Sequence, residues 1–115
     1  MRMSPKYDVI FLVEAMEFLE SLDEKTRDKV IYNVDKSRYT NDPQLFKKLS
    51  GEIWEFRTRF SKTQVRLLAF WDKTDKQETL VVSTHGIIKK TDKVPKKEIG
   101  KADRIRQEYF EDKNK

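Results

Sequence analysis

The residues of this chain whose types and spacing could do chemistry are cationic: Arg57, Arg59, Arg66, His85, Lys89 and Lys90. Arg57 and Arg59 alternate along one strand-like run and leave it by the same face, which Glu55 shares. Arg66 lies on the next run with Leu68 and Phe70 on its own side, so its charge borders an apolar surface and needs a partner. His85, Lys89 and Lys90 end a third run. If the three runs pair as an antiparallel meander, these groups can converge. A convergent set would suit a phosphodiester. Arginines make bidentate, charge-assisted hydrogen bonds to phosphate oxygens and stabilise the charge of a pentacoordinate transition state. A histidine can move a proton at neutral pH, and in RNA the 2′-hydroxyl supplies the nucleophile.

Each residue also has a plainer reading. His85 beside Val81, Val82 and Ile87 fits a satisfied structural histidine. Arg57 and Arg59 beside Glu55 fit a solvated, ion-paired face, where a pair contributes ~0 to 1 kcal/mol. The lysines 89, 90, 93, 96 and 97 run into a helix start, where cations oppose the helix dipole; that placement suggests an external reason for it, such as an anion. No Gly-rich phosphate loop, no metal-ligand cluster and no serine with a base partner stands out, so neither a cofactor nor a metal is expected.

The elements that must position these groups follow from periodicity. Tyr7 to Leu12 is β-branched and aromatic and predicts a strand. From Glu14, Ala15, Phe18, Leu19 and Leu22 take up helical spacing. Asp23 can cap a second helix from about Glu24 to Arg38, with Val30, Ile31 and Val34 inward, stopped by Asn41, Asp42 and Pro43. Leu45 to Leu49 leads into a turn at Ser50 and Gly51. Three strands follow, Ile53 to Phe60, Val65 to Asp72 and Glu78 to Lys89, joined by the short polar links Ser61 to Gln64 and Lys73 to Gln77. Pro95 opens a C-terminal helix whose stripe is Ile99, Ala102, Ile105 and Tyr109. The order predicts one α+β domain over residues 1–115, a meander sheet with helices packed on one face.

Composition narrows the class. The 25 Lys and Arg against 20 Asp and Glu leave a net charge of +5, which would draw a polyanion only where the cations gather on one face. The absence of cysteine removes disulfides and thiolate chemistry and suits a reducing cytosol. A single histidine cannot build a structural zinc cage. The opening MRMSPKYDVI has no long apolar stretch, and a cytoplasmic protein without a membrane partner is expected.

Three segments carry a family likeness. LSGEIWEFR, VRLLAF and STHGIIKKTDKVPKKEIGKADRIRQEYF, above all His85 to Ile99 within the last, resemble the HigB-type toxins of the RelE/ParE superfamily, found in bacterial toxin-antitoxin pairs and in phage. The likeness covers the C-terminal half closely; the earlier strand and helices agree in order and length. It implies a RelE-like fold, a curved antiparallel sheet with an N-terminal strand and helical hairpin and a C-terminal helix. It also implies a ribosome-dependent endoribonuclease on mRNA, neutralised by a small antitoxin, commonly a helix-turn-helix protein. By position, the resemblance gives Arg57 and Arg66 the scissile phosphate, and makes His85 and Lys89 candidates for proton transfer or phosphate binding. Arg59, Lys90, Lys47 and Lys48 are expected to hold the RNA. Val94 stands where the family often has a capping threonine, and no catalytic tyrosine is evident, Tyr109 fitting helix packing.

Two other functions stay open on the same residues. A ParE-like inhibitor of DNA gyrase would use the cations as a binding surface, and an inactive paralogue would only bind antitoxin or RNA. For the nuclease, Arg57→Ala and Arg66→Ala are both expected to keep the fold and lose toxicity.

Overall fold

In β4 apolar side chains leave by both faces of the strand, which requires cover on both sides of the sheet. The computed structural model describes residues 4–74 and 79–115 and meets that requirement. Its elements are β1 (Asp8–Phe11), α1 (Val13–Ser21), α2 (Glu24–Ser37), β2 (Phe46–Ser50), β3 (Ile53–Phe60), β4 (Thr63–Asp72), β5 (Leu80–Ile88) and α3 (Lys96–Lys113). The strands form one sheet in the order β1-β5-β4-β3-β2. Strands β3 to β5 make the expected antiparallel meander, β2 adds a fourth antiparallel strand to it, and β1 joins the far edge parallel to β5. The helical hairpin between β1 and β2 supplies the long crossover that a parallel neighbour needs.

The expectation of helices on one face is corrected. Leu19 of α1 and Val30 and Val34 of α2 pack with Phe56, Leu67, Ala69 and Val81 on one side. Ala102 of α3 packs with Ile53, Leu68, Phe70 and Val82 on the other, joined there by Ile99, Tyr109 and Phe110. Ile31, expected inward, is 45% exposed because only the Val30 and Val34 side of α2 meets the sheet. The segment Leu45 to Leu49, read only as the approach to a turn, holds most of β2, which runs on through Ser50. Gly51, at φ 56°, closes its hairpin with β3. The next hairpin is tighter than expected: Ser61 and Lys62 both adopt positive φ, and β4 starts already at Thr63. Glu78, the expected start of the last strand, and residues 75–77 of its preceding link lie outside the described residues.

Local chemistry fixes the helices. Asp23 caps α2 by accepting from the Thr26 N–H at 3.1 Å. A Cβ on Gly86 would overlap the ring of Phe18, so glycine is what lets α1 lie close on β5. The start of α3 has no side-chain cap, in keeping with Val94 before Pro95. Its far end is anchored instead: the buried Asp72 carboxylate accepts from Tyr109 Oη and Lys113 Nζ, each at 2.6 Å, and from Thr74. Burial pushes that carboxyl up, but the hydrogen bonds from Lys113, Thr74 and Tyr109 outweigh it and hold it well below the usual carboxylate range. A carboxyl depressed in the fold contributes stability above its unfolded pKa and loses it as the pH falls toward its folded value. Asp72→Asn is therefore expected to cost about 2 kcal/mol at pH 7. The gap to the parent protein, read by urea unfolding, should shrink steadily below about pH 4.

Candidate functional site

The α3 side of the sheet is apolar where the helix covers it and polar beyond the helix start. Paired residues on antiparallel strands share a face, so the register lays this surface out in rows. Ile53, Phe70 and Val82 form the row under α3. The next row is Lys47, Glu55, Leu68 and His85; then come Arg57, Arg66 and Ile87. The last pairs Arg59 with Gln64, and the Lys89 N–H extends the ladder by donating to the Gln64 carbonyl at 2.7 Å.

The sheet thus brings Arg57, Arg59, Arg66 and Lys89 together at one end of one face. Their anchor is Glu55, a carboxylate only 3% exposed in the middle strand of the β2-β3-β4 group. Its Oε1 lies 3.1 Å from Arg66 Nε and its Oε2 lies 4.0 Å from Arg57 Nε. The Arg66 contact is a close ion pair without hydrogen-bond alignment, leaving Arg66 Nε and Glu55 Oε1 without a directed partner. Arg66 is otherwise used up by the protein: Nη1 donates to the Val65 carbonyl at 3.1 Å and Nη2 to Gln64 Oε1 at 3.0 Å. Burial lowers its pKa, the Glu55 charge opposes that, and Arg57 adds to it. Arg57 is freer. Its side chain is 28% exposed, and among the described residues only its Nη1 has a hydrogen-bond acceptor, the Pro43 carbonyl at 3.4 Å.

Two depressions open on this end. One, of about 330 Å³, is lined by Gln44, Arg57, Thr58, Arg59, Gln64 and Arg66. The other, of about 450 Å³, runs from the β3-β4 hairpin to the end of β5 and the loop beyond it, past Lys62, Gln64, Lys89, Lys90 and Asp92. Lys89 donates to the Asp92 carbonyl at 3.2 Å, and burial followed by the charge of Arg66 pulls its pKa below that of an ordinary lysine.

The remaining expected residues are placed differently. His85 is buried: its Nδ1 meets Thr84 Oγ1 at 3.0 Å and its Nε2 meets Glu98 Oε1 at 3.1 Å. Burial pulls its pKa down against the Glu98 bond, which favours the neutral ring. Beside it Lys101 pairs with Glu14 at 2.6 Å, so this group ties α3 to β5 and to α1. Lys47 projects on the same face as Glu55, but Lys48 pairs with Trp54 and projects on the other. Neither the place of Gln64 in the site nor the burial of Glu55 was evident from the sequence. The signal for Glu55 was its place between Ile53 and Arg57 on a face that also carries Leu68, Phe70 and Ile87. Among the described residues no group of three or more His, Asp or Glu comes together as metal ligands do.

Burial corrects the expectation that Arg66→Ala keeps the fold, because the change strands the Glu55 carboxylate. Arg66→Met is expected to cost about 3–5 kcal/mol, whereas the double change Glu55→Leu with Arg66→Met, which removes both charges, should regain most of it. Denaturant unfolding of the three proteins checks this.

No curated protein matches the chain. Among solved structures, a chain of the toxin-antitoxin complex RelBE2 from Mycobacterium tuberculosis superposes with a TM-score of 0.57 at 20% identity, covering 78% of this chain and 98% of that chain. That likeness is one of fold, and it bears out the expected RelE-like α+β architecture. Neither comparison names the HigB-type group. The family model described as phage derived protein Gp49-like (DUF891) matches residues 17–107, from within α1 to near the end of α3, and the chain belongs to that family.

Proposed function

We propose that this protein is the toxin of a toxin-antitoxin pair and acts as an endoribonuclease on mRNA at the ribosome. Three things support this: the Gp49-like family, a fold shared with a chain from a toxin-antitoxin complex, and the cationic end of the sheet. The observation that carries it is the open guanidinium of Arg57 directly opposite the buried Arg66, at a depression whose charged lining residues are all arginine.

In this account the 2′-hydroxyl of the RNA attacks the adjacent phosphorus. The P–O5′ bond breaks, leaving a 2′,3′-cyclic phosphate and a 5′-hydroxyl. Arg57 holds the non-bridging oxygens, and Arg66 adds a fixed positive charge from beneath, since it is buried and both its Nη1 and its Nη2 donate to the protein. Lys89 gives its proton to the departing 5′-oxygen, a role its lowered pKa suits. The proton of the 2′-hydroxyl passes to solvent, and His85, bonded to Glu98, serves by holding the cleft wall. Arg59, Lys90 and Lys47 contact neighbouring phosphates. Lys48, on the opposite face, is left out of this group. A small antitoxin that covers this end or blocks ribosome entry would neutralise the protein. The site of action is the cytoplasm.

Arg57→Ala tests the assignment most cleanly, because Arg57 is half-buried and its removal leaves the closer Glu55–Arg66 pair in place. Expected are a melting temperature near that of the parent and a loss of about 10²- to 10³-fold in transcript cleavage. Growth arrest and cleavage unchanged on inducing Arg57→Ala would refute the role given to this arginine.

A further inference from the structure

Gln64 is an uncharged, polar side chain at the centre of the cationic end. Arg59 lies opposite it on β3, Lys89 lies beside it on the β5 side, and Arg57 and Arg66 form the next row. It lines both depressions and is the residue they share. Arg66 donates to its Oε1 at 3.0 Å, and this fixes the amide: the oxygen is turned to the arginine and the NH₂ is the end left over. Among the described residues nothing accepts a hydrogen bond from that nitrogen.

The choice of an amide here has a physical consequence. A glutamate would accept from Arg66 at least as well, yet would cancel one positive charge where four converge. An amide accepts from Arg66 without lowering the field, and its second end adds a donor. Resting on the nuclease reading for its choice of ligand, we infer that Gln64 is a further substrate-binding residue. Its NH₂ donates to a non-bridging phosphate oxygen of single-stranded RNA at the junction of the two depressions, next to the phosphate held by Arg57. One residue thereby links the buried arginine to the bound strand.

The test uses the intact protein and a short single-stranded oligoribonucleotide with 2′-O-methyl sugars, which cannot be cut by 2′-oxygen attack. Its binding therefore stands or falls apart from the nuclease reading. Gln64→Glu keeps the acceptor for Arg66 and removes the donor. Thr91→Glu adds the same charge at the rim of the second depression and serves as the control for charge alone. Fluorescence anisotropy at fixed salt should show Gln64→Glu binding about tenfold or more weakly than the parent. Thr91→Glu should stay within about threefold, and the melting temperature of Gln64→Glu should be unchanged. Equal losses for the two variants would overturn the inference, since only charge would then matter; so would the absence of any binding by the parent. If Gln64→Glu fails to bind while the parent binds but cuts no transcript, the inference stands and the nuclease reading falls.

Discussion

A carboxylate buried to 3% exposure beneath two arginines is the constraint on which the rest of this site depends. The Glu55 carboxylate, taken out of water, has Arg66 at 3.1 Å as its closest counter-charge, and Arg66 could not be drawn into the sheet without Glu55. Glu55 offsets part of the Arg66 charge, so Arg66 adds a fixed local contribution to a positive field that comes chiefly from what surrounds the pair: Arg57, Arg59, Lys89 and Lys90. The pair also fixes geometry. A guanidinium held by Glu55, Gln64 and the Val65 carbonyl cannot swing away, and this rigidity makes it useful as a preorganised charge.

The remainder of the fold keeps that end of the sheet open. Helix α3 lies over the Phe70 end of the face, pinned by Asp72 at its C-terminal part and by His85 and Glu98 at its first turn. It thus covers the apolar rows and leaves the arginine rows exposed. The other face is sealed by α1 and α2, so the working surface has one side only. Asn33 of α2 donates to Thr58 at 3.2 Å, holding β3 from behind at the level of the arginines.

Much of this was legible in the sequence, for identifiable reasons. Alternation along IWEFRTRF put Arg57 on the face opposite Phe56, and the short links forced the meander that pairs Arg57 with Arg66. Arg66 next to Leu68 and Phe70 signalled a charge in need of a partner, and the structure supplies one in Glu55. Three things were not legible. The covering of both faces depends on where α3 packs, which the stripe Ile99, Ala102 and Tyr109 leaves undecided between two apolar faces. The parallel pairing of β1 arises from the crossover and carries no local signature. The state of His85 rests on Glu98 and Thr84, and its contact with Glu98, 13 positions away, is made only by the docking of α3.

The central claim is that cations at this end of the sheet stabilise a phosphodiester while its own 2′-hydroxyl cleaves it. The chemistry of the new RNA ends tests it most directly, by sequencing methods selective for each terminus on ribosome-associated transcripts after brief induction. The account predicts 2′,3′-cyclic phosphates facing 5′-hydroxyls at the new cuts. Termini bearing 5′-phosphates and 3′-hydroxyls, or intact transcripts in cells whose growth has stopped, would contradict it.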